Sequence, residues 1–109
     1  MLLNTYQKHA KKTAVYPAKG QNYSYPALGL TGEAGEVSDK IKKVIRDNDG
    51  VLTDEIKKEI AKELGDVLWY LAIMAEEIGF TLNTIAEMNL KKLNDRKKRN
   101  VIHGSGDNR

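Results

Sequence analysis

The sequence holds two prolines, Pro17 and Pro26, and none after residue 26. Across that proline-free stretch apolar residues recur at intervals of three and four, and nowhere do they alternate one for one with polar residues. A chain with no strand period has to bury its apolar surface through helices. The spacing predicts four of them. The first covers about residues 2–12 and sets Leu2, Tyr6 and Ala10 on one face. A loop from Tyr16 to Tyr25 follows, rich in Gly, Asn, Ser and Tyr. The second helix starts near Pro26, where a missing N–H costs nothing, and carries Leu30, Ala34, Val37, Ile41, Val44 and Ile45. Asp47-Asn48-Asp49-Gly50 reads as a turn. Thr53 caps a third helix whose first turn bears Asp54 and Glu55, acids that suit the helix dipole. Its stripe is Ile56, Ile60, Leu64, Val67, Leu71, Met74 and Ile78. Gly79 ends it, and Thr81 caps a fourth helix bearing Leu82, Ile85, Met88 and Leu93. The expected class is all-α: a four-helix bundle protomer, one domain over residues 1–109 with its core in 26–99. The tail, 100–109, is expected to be mobile alone or to contact a second chain.

Composition narrows the functions open to such a bundle. A hydrophobic share of 40% and a charged share of 30% describe an ordinary globular chain, neither disordered nor membranous. The longest apolar run, Val67 to Ala75, is about half of what a bilayer span requires. Met1-Leu2-Leu3 is too short for a signal peptide. The cytoplasm is the expected compartment, with no membrane partner. The absence of Cys excludes disulfides, thiolate zinc sites and Cys nucleophiles, and two distant histidines, His9 and His103, argue against a His-rich metal site. A net charge of +3 hints weakly at anionic partners. The third helix is apolar nearly all round between Val67 and Ala75, with Trp69 roughly opposite the core stripe. A homo-oligomer is therefore expected; the plainer alternative packs Trp69 on the first helix or a loop of its own chain.

The most informative feature is an internal echo. Glu33-Ala34-Gly35-Glu36-Val37 and Glu63-Leu64-Gly65-Asp66-Val67 both read acid-x-Gly-acid-Val, 30 residues apart. Acids at i and i+3 share one side of a helix. In both segments the first acid lies about 70° and the second about 130° from the apolar stripe, in the same rotational sense. Two such helices packed antiparallel can line one groove with four carboxylates. Clustered carboxylates raise one another's pKa unless a cation neutralises them. Only oxygen ligands are on offer, which selects hard divalent cations, Mg²⁺ first and Mn²⁺ second. Such a site keeps positions for water and phosphate oxygens. Gly35 and Gly65 lie away from the acids and cost about 1 kcal/mol each against Ala; close approach by another helix explains them, and Gly29 and Gly32 fit the same reading. The bland explanation of any one Glu-x-x-Glu is a solvated face, and Lys40 stands ready four residues after Glu36. Two copies in the same phase are more specific.

Glu33-x-x-Glu36 within Gly32-Glu-Ala-Gly-Glu-Val, and Glu63-x-x-Asp66 within Lys62-Glu-Leu-Gly-Asp-Val-Leu-Trp-Tyr-Leu, resemble the MazG family of all-α nucleoside triphosphate pyrophosphohydrolases. Asn89-Leu-Lys-Lys-Leu-Asn-Asp-Arg96 resembles that family's Asn-x-x-Lys-Leu-x-x-Arg. The resemblance covers about residues 26 to 99, more loosely the first helix, and the tail from Gly104 looks like that of small phage-like members. It implies cleavage of a nucleoside triphosphate between its α and β phosphorus atoms, with monophosphate and pyrophosphate as products. It also implies Mg²⁺ held by Glu33, Glu36, Glu63 and Asp66, a homodimer or dimer of dimers, and house-cleaning of unwanted nucleotides, often deoxynucleotides. Some members carry an extra acid before the first Glu; here that place is Gly32. Glu33 or Glu36 is the expected catalytic carboxylate that orients water.

Lys92 and Arg96, at i and i+4, resemble the family's phosphate-binding residues, and charge on a leaving pyrophosphate needs such a partner. They belong equally to a basic helix end, Lys91 to Arg99, that a dipole would favour. Asn89 one turn earlier is a candidate sugar or phosphate contact. Tyr70, four residues after Asp66, is a candidate wall for sugar or base, or a half-buried bundle Tyr. His9, Tyr16, Tyr23 and Tyr25 are weaker candidates for a base pocket. Glu59 and Glu77, on the acidic side of the third helix, are expected in ordinary surface or secondary roles. The 47–50 turn is no EF-hand, since Gly stands fourth and Lys58 twelfth. A di-iron bundle is excluded by the lack of Glu-x-x-His pairs. The competing function is a non-enzymatic basic dimer binding nucleic acid through residues 91–99, which a pI of about 9.1 permits and an acidic groove opposes. No nucleic-acid partner is therefore expected.

Overall fold

The helix ends predicted at Thr53, Gly79 and Thr81 are made by those residues. The computed structural model describes all residues, 1–109, as four helices and no strand: α1 (Leu3–Thr13), α2 (Ser24–Asp47), α3 (Asp54–Glu77) and α4 (Leu82–Lys98). Thr53 Oγ1 accepts from the Ile56 N–H at 3.2 Å, and Thr81 Oγ1 from the Thr84 N–H at 3.1 Å. Gly79, at φ +78°, lets Phe80 N reach the Ala75 carbonyl, which closes α3. Asn100, at φ +56°, does the same for α4, with Val101 N on the Arg96 carbonyl. α2 begins two residues ahead of Pro26, because Asn22 Oδ1 accepts from Tyr25 N at 3.1 Å and caps the turn.

α2 and α3 are each 24 residues long and form the main antiparallel pair. Their bounds repeat at the same 30-residue offset as the acidic echo, and the exposure pattern of 31–40 is identical to that of 61–70. Pro26, Leu30, Glu33, Val37, Lys40 and Val44 form the α2 side of the seam, and Ile56, Ile60, Glu63, Val67, Tyr70 and Met74 the α3 side. The hairpin therefore has an approximate twofold axis through its middle.

This arrangement rotates the expected stripes. Glu33 and Glu63 stand in the seam instead of beside it. Ala34, Ile41, Ile45, Leu64, Leu68 and Leu71 are left on one open flank; Leu64 is 53% and Ile45 66% exposed. Nor do the helices close into the expected bundle: α1 packs on α3, and α4 rests chiefly on α1. The small core lies at that junction, where Ala10, Ala14 and Tyr16 meet Ala72, Ile73, Ala75 and Leu82. Gln7, buried, fastens α1 to the α3–α4 link: its Nε2 donates to the Phe80 carbonyl at 2.9 Å and its Oε1 accepts from Leu82 N at 2.8 Å.

Trp69 takes the plainer of its two expected places. Its indole N–H donates to Thr13 Oγ1 at 2.8 Å and its ring packs on the α1 junction, so it does not itself ask for a second subunit. The last ten residues turn back on α4 within the chain. Arg96 donates to the Asp107 carbonyl, Arg99 to that of Arg109, and the Arg109 guanidinium to those of Gly106, Ile102 and Val101. No helix is long and apolar enough to cross a membrane.

Candidate metal centre

The seam brings Glu33, Glu63 and Asp66 together, each offering one carboxylate oxygen within 4.8 Å of the others. Glu33 and Glu63 are half-buried and Asp66 is exposed, so the group opens to solvent on the Asp66 side. Burial, then Asp66, Glu63 and Glu36, raise the Glu33 pKa, the expected response of an acid crowded by like charges. Glu36, the fourth predicted ligand, is exposed and stands outside the group. By the twofold relation its backbone station matches that of Asp66, and it acts on Glu33 through space. Three oxygen donors at this separation, one with its ionised form disfavoured, suit a hard divalent cation better than they suit one another.

The two ends of the group differ. At one end Lys40 lies 3.5 Å from Glu59 and 3.8 Å from Glu63. Lys40 thus pairs across the seam and not with Glu36 on its own helix. It is a site residue that periodicity concealed, because a lysine four after an acid reads as a surface pair. At the other end the Tyr70 ring lies so close to Gly29 that a Cβ there would stand 2.1 Å from it. Gly29 is therefore the glycine of the series that close approach explains; around Gly32, Gly35 and Gly65 the space within this chain is open. Tyr70 meets Trp69 edge-on, with centroids 5.0 Å apart, and Tyr25 at 6.4 Å. Burial, then the Tyr25 hydroxyl, then Glu33 and Asp66, raise the Tyr70 pKa. Tyr6 of α1 also feels the site, its pKa raised by burial and then by Asp66.

Tyr25 stacks in turn on Tyr16, with centroids 4.8 Å apart and planes 7° from parallel. The Tyr16 hydroxyl donates to Glu77, which also accepts from Gly20 N at 2.8 Å and Asn22 N at 3.1 Å. These donors hold the Glu77 pKa below its ordinary value, with Tyr16 the largest cause. Glu77 is thus an anchor for the 16–22 loop, a role that its place in the sequence did not reveal.

The remaining predicted residues are not gathered at the carboxylates within one chain. Asn89 and Lys92 line a cavity of about 430 Å³ with Ile78, Phe80, Ile85 and Met88. Arg96 is 7% exposed, with its guanidinium on the Asp107 carbonyl. His9 is exposed on α1, three residues from Tyr6, and Tyr23 is exposed beside the start of α2.

Comparison with known proteins places the whole chain among relatives. Residues 21–101 match the MazG nucleotide pyrophosphohydrolase domain. The Gene 37 protein of Mycobacterium phage L5 is 47% identical over 114 aligned positions that span the whole of both chains. No solved structure matches the sequence.

Proposed function

The chain belongs to the MazG nucleotide pyrophosphohydrolase family, and from that premise we propose that it hydrolyses (deoxy)nucleoside triphosphates to the monophosphate and pyrophosphate with Mg²⁺, or Mn²⁺ in its place, as cofactor. The observation that carries this reading is the oxygen-only group of Glu33, Glu63 and Asp66 within 4.8 Å. Bound there, Mg²⁺ would polarise phosphate oxygens and lower the pKa of a coordinated water. Glu33, Glu63 and Asp66 hold the ion. Glu36, left outside the group, keeps a free carboxylate beside Glu33 to orient water and take its proton. Tyr70 and Tyr25 offer a wall for the nucleoside. Such an activity fits nucleotide-pool house-cleaning in the cytoplasm.

A second subunit completes the proposal. The radius of gyration is 16.8 Å, where a compact chain of this length has about 13 Å. Only eleven residues are buried, and the Leu64–Leu68–Leu71 flank faces water. A homodimer, or a dimer of dimers, would cover that flank, and α4 of a second copy would bring Asn89 and Lys92 to the phosphates; Arg96 would join them only on leaving the Asp107 carbonyl that holds it in the single chain. The nucleic-acid alternative gains nothing here, since Arg96 and Arg99 of the basic run are engaged by the chain's own tail.

The test is pyrophosphate release from a panel of ribo- and deoxynucleoside triphosphates with Mg²⁺, with Mn²⁺ and with EDTA. Release is expected with either metal and not in EDTA. Glu63→Gln and Asp66→Asn should each lower it by about 10²-fold or more, since metal clamping supplies several kcal/mol of barrier lowering. Full activity in both variants, or release of orthophosphate alone, would defeat the reading.

A further inference from the structure

Glu77 stands seven residues beyond Tyr70 on α3, about two turns from that ring and about three from Asp66. It does not reach the carboxylates. What it holds is the chain just before α2. One carboxylate oxygen accepts from the Tyr16 hydroxyl and Gly20 N, and the other from Asn22 N. The segment so gathered includes Ala18 at φ +54° and Gly20 at φ +93°, left-handed backbone that needs an external hold at the alanine. Asn22 passes the constraint on: its side chain accepts from Tyr25 N and donates to the Pro17 carbonyl, which fixes where α2 begins. Tyr16 passes it on by a second route, through its parallel stack on Tyr25. Both routes end on the ring that leans against Tyr70 beside Glu33 and Asp66.

Resting on the nucleotide reading above, the structure assigns Glu77 as a positioning residue: its carboxylate pins residues 16–22 and so sets Tyr25 against Tyr70 as the wall that receives the nucleoside part of the substrate. Three donors converge on Glu77, and a glutamine cannot replace it fully. An amide keeps one acceptor oxygen, and its NH₂ would face a backbone N–H. The role concerns placing the nucleoside and not holding the ion, so the effect belongs in KM and not in metal affinity.

The experiment compares wild type with Glu77→Gln and Tyr16→Phe in three measurements on the full chain. Steady-state pyrophosphate release gives kcat and KM, titration with Mn²⁺ alone gives ion affinity, and amide exchange at Gly20 and Asn22 gives the state of the loop. Glu77→Gln is expected to raise KM about tenfold, the size of one base–aromatic stacking contact, with kcat within about threefold. Mn²⁺ affinity should hold while exchange at both amides accelerates. Tyr16→Phe, which keeps the stack and loses one bond to Glu77, should fall between. Trp69, edge-on to Tyr70, adds an emission change that follows the wall itself. Accelerated exchange with KM unchanged overturns the role, as does a fall in kcat with loss of Mn²⁺ binding. A wild type that releases no pyrophosphate from any triphosphate overturns the parent reading and this role with it. An active wild type beside a Glu77→Gln variant of unchanged KM overturns the role alone.

Discussion

Removing a ligand from the carboxylate group should make the metal-free protein more stable. At 4.8 Å, two unit charges repel by about 0.9 kcal/mol in water and about 3.5 kcal/mol at an effective dielectric of 20. Asp66 is exposed and Lys40 already offsets part of the charge on Glu63, so the low end applies. Asp66→Asn deletes its repulsion with both Glu33 and Glu63, worth about 1–2 kcal/mol together, and Asn and Asp differ little in helix propensity. The metal-free variant should melt about 4 °C or more above wild type. With metal the order changes. At a concentration ten times the dissociation constant, an ion stabilises wild type by about 1.4 kcal/mol, whereas the variant, one carboxylate short, gains much less. Thermal melts in EDTA and across a Mg²⁺ series should therefore converge or cross. Acid should mimic the mutation in wild type. The raised Glu33 pKa means that the folded state binds its proton more tightly than the unfolded state. The associated stability is present below the ordinary carboxylate pKa and is lost as pH rises through the raised one. A metal-free Asp66→Asn protein less stable than wild type, or one stabilised equally by Mg²⁺, would refute the reasoning.

Three further outcomes follow from the same geometry. Leu64 is 53% exposed, so covering the rest of it contributes about 1 kcal/mol per chain and about 2 kcal/mol in a twofold dimer; Leu64→Asp should weaken dimerisation at least about 30-fold by sedimentation while the helical circular dichroism holds. Gly29→Ala should lower the melting temperature, because its Cβ would sit 2.1 Å from the Tyr70 ring. Gly35→Ala and Gly65→Ala meet nothing within 4 Å and should each stabilise an isolated chain by about 1 kcal/mol; a loss of assembly in them would locate a partner helix there. Glu77, its pKa held below the ordinary value, contributes stability present above the unfolded carboxylate pKa and lost as pH falls through the folded one; Glu77→Gln should flatten that acid limb in melts from pH 3 to 6.

What was legible in the sequence was what is local. Thr53, Thr81 and Gly79 act on neighbours within a few residues, so the helix ends could be read directly. The acidic echo was legible because a repeated phase survives any choice of partner. The phase of the seam was not. α2 carries Leu30, Val37 and Val44 toward α3 and Ala34, Ile41 and Ile45 toward open solvent, and both sets fit a helical period. Periodicity cannot say which of two adjoining apolar faces is filled first, so Glu33 was expected at the border and is found in the seam. Gln7, Lys40 and Glu77 escaped for another reason. A long polar side chain on a helix reads as solvated until its partner is known. The Phe80 carbonyl that Gln7 holds is 73 residues away, and the Gly20 amide on Glu77 is 57 away.

The departures from symmetry say more about the site than the symmetry does. Two equal helices related by a twofold would present Glu33 with Glu63 and Glu36 with Asp66 in matched places, and such a cradle would hold a cation with no preferred direction. The direction comes from two of the positions at which the helices differ. Where α2 has Lys40, α3 has Tyr70, and where α3 has Glu59, α2 has Gly29. Lys40 therefore meets Glu59 and Glu63 and closes one end with charge, while Tyr70 lies flat over Gly29 and closes the other with an aromatic face. On the proposed reading, a nucleoside triphosphate in this groove would lie with its phosphates toward Lys40 and its ring toward Tyr70. Exchanging the two ends, as in a Lys40→Tyr/Tyr70→Lys double variant, leaves the carboxylates in place and reverses the sense of orientation. Mn²⁺ affinity should persist in that variant while triphosphate turnover falls, and retained turnover would show that the ends do not orient the ligand.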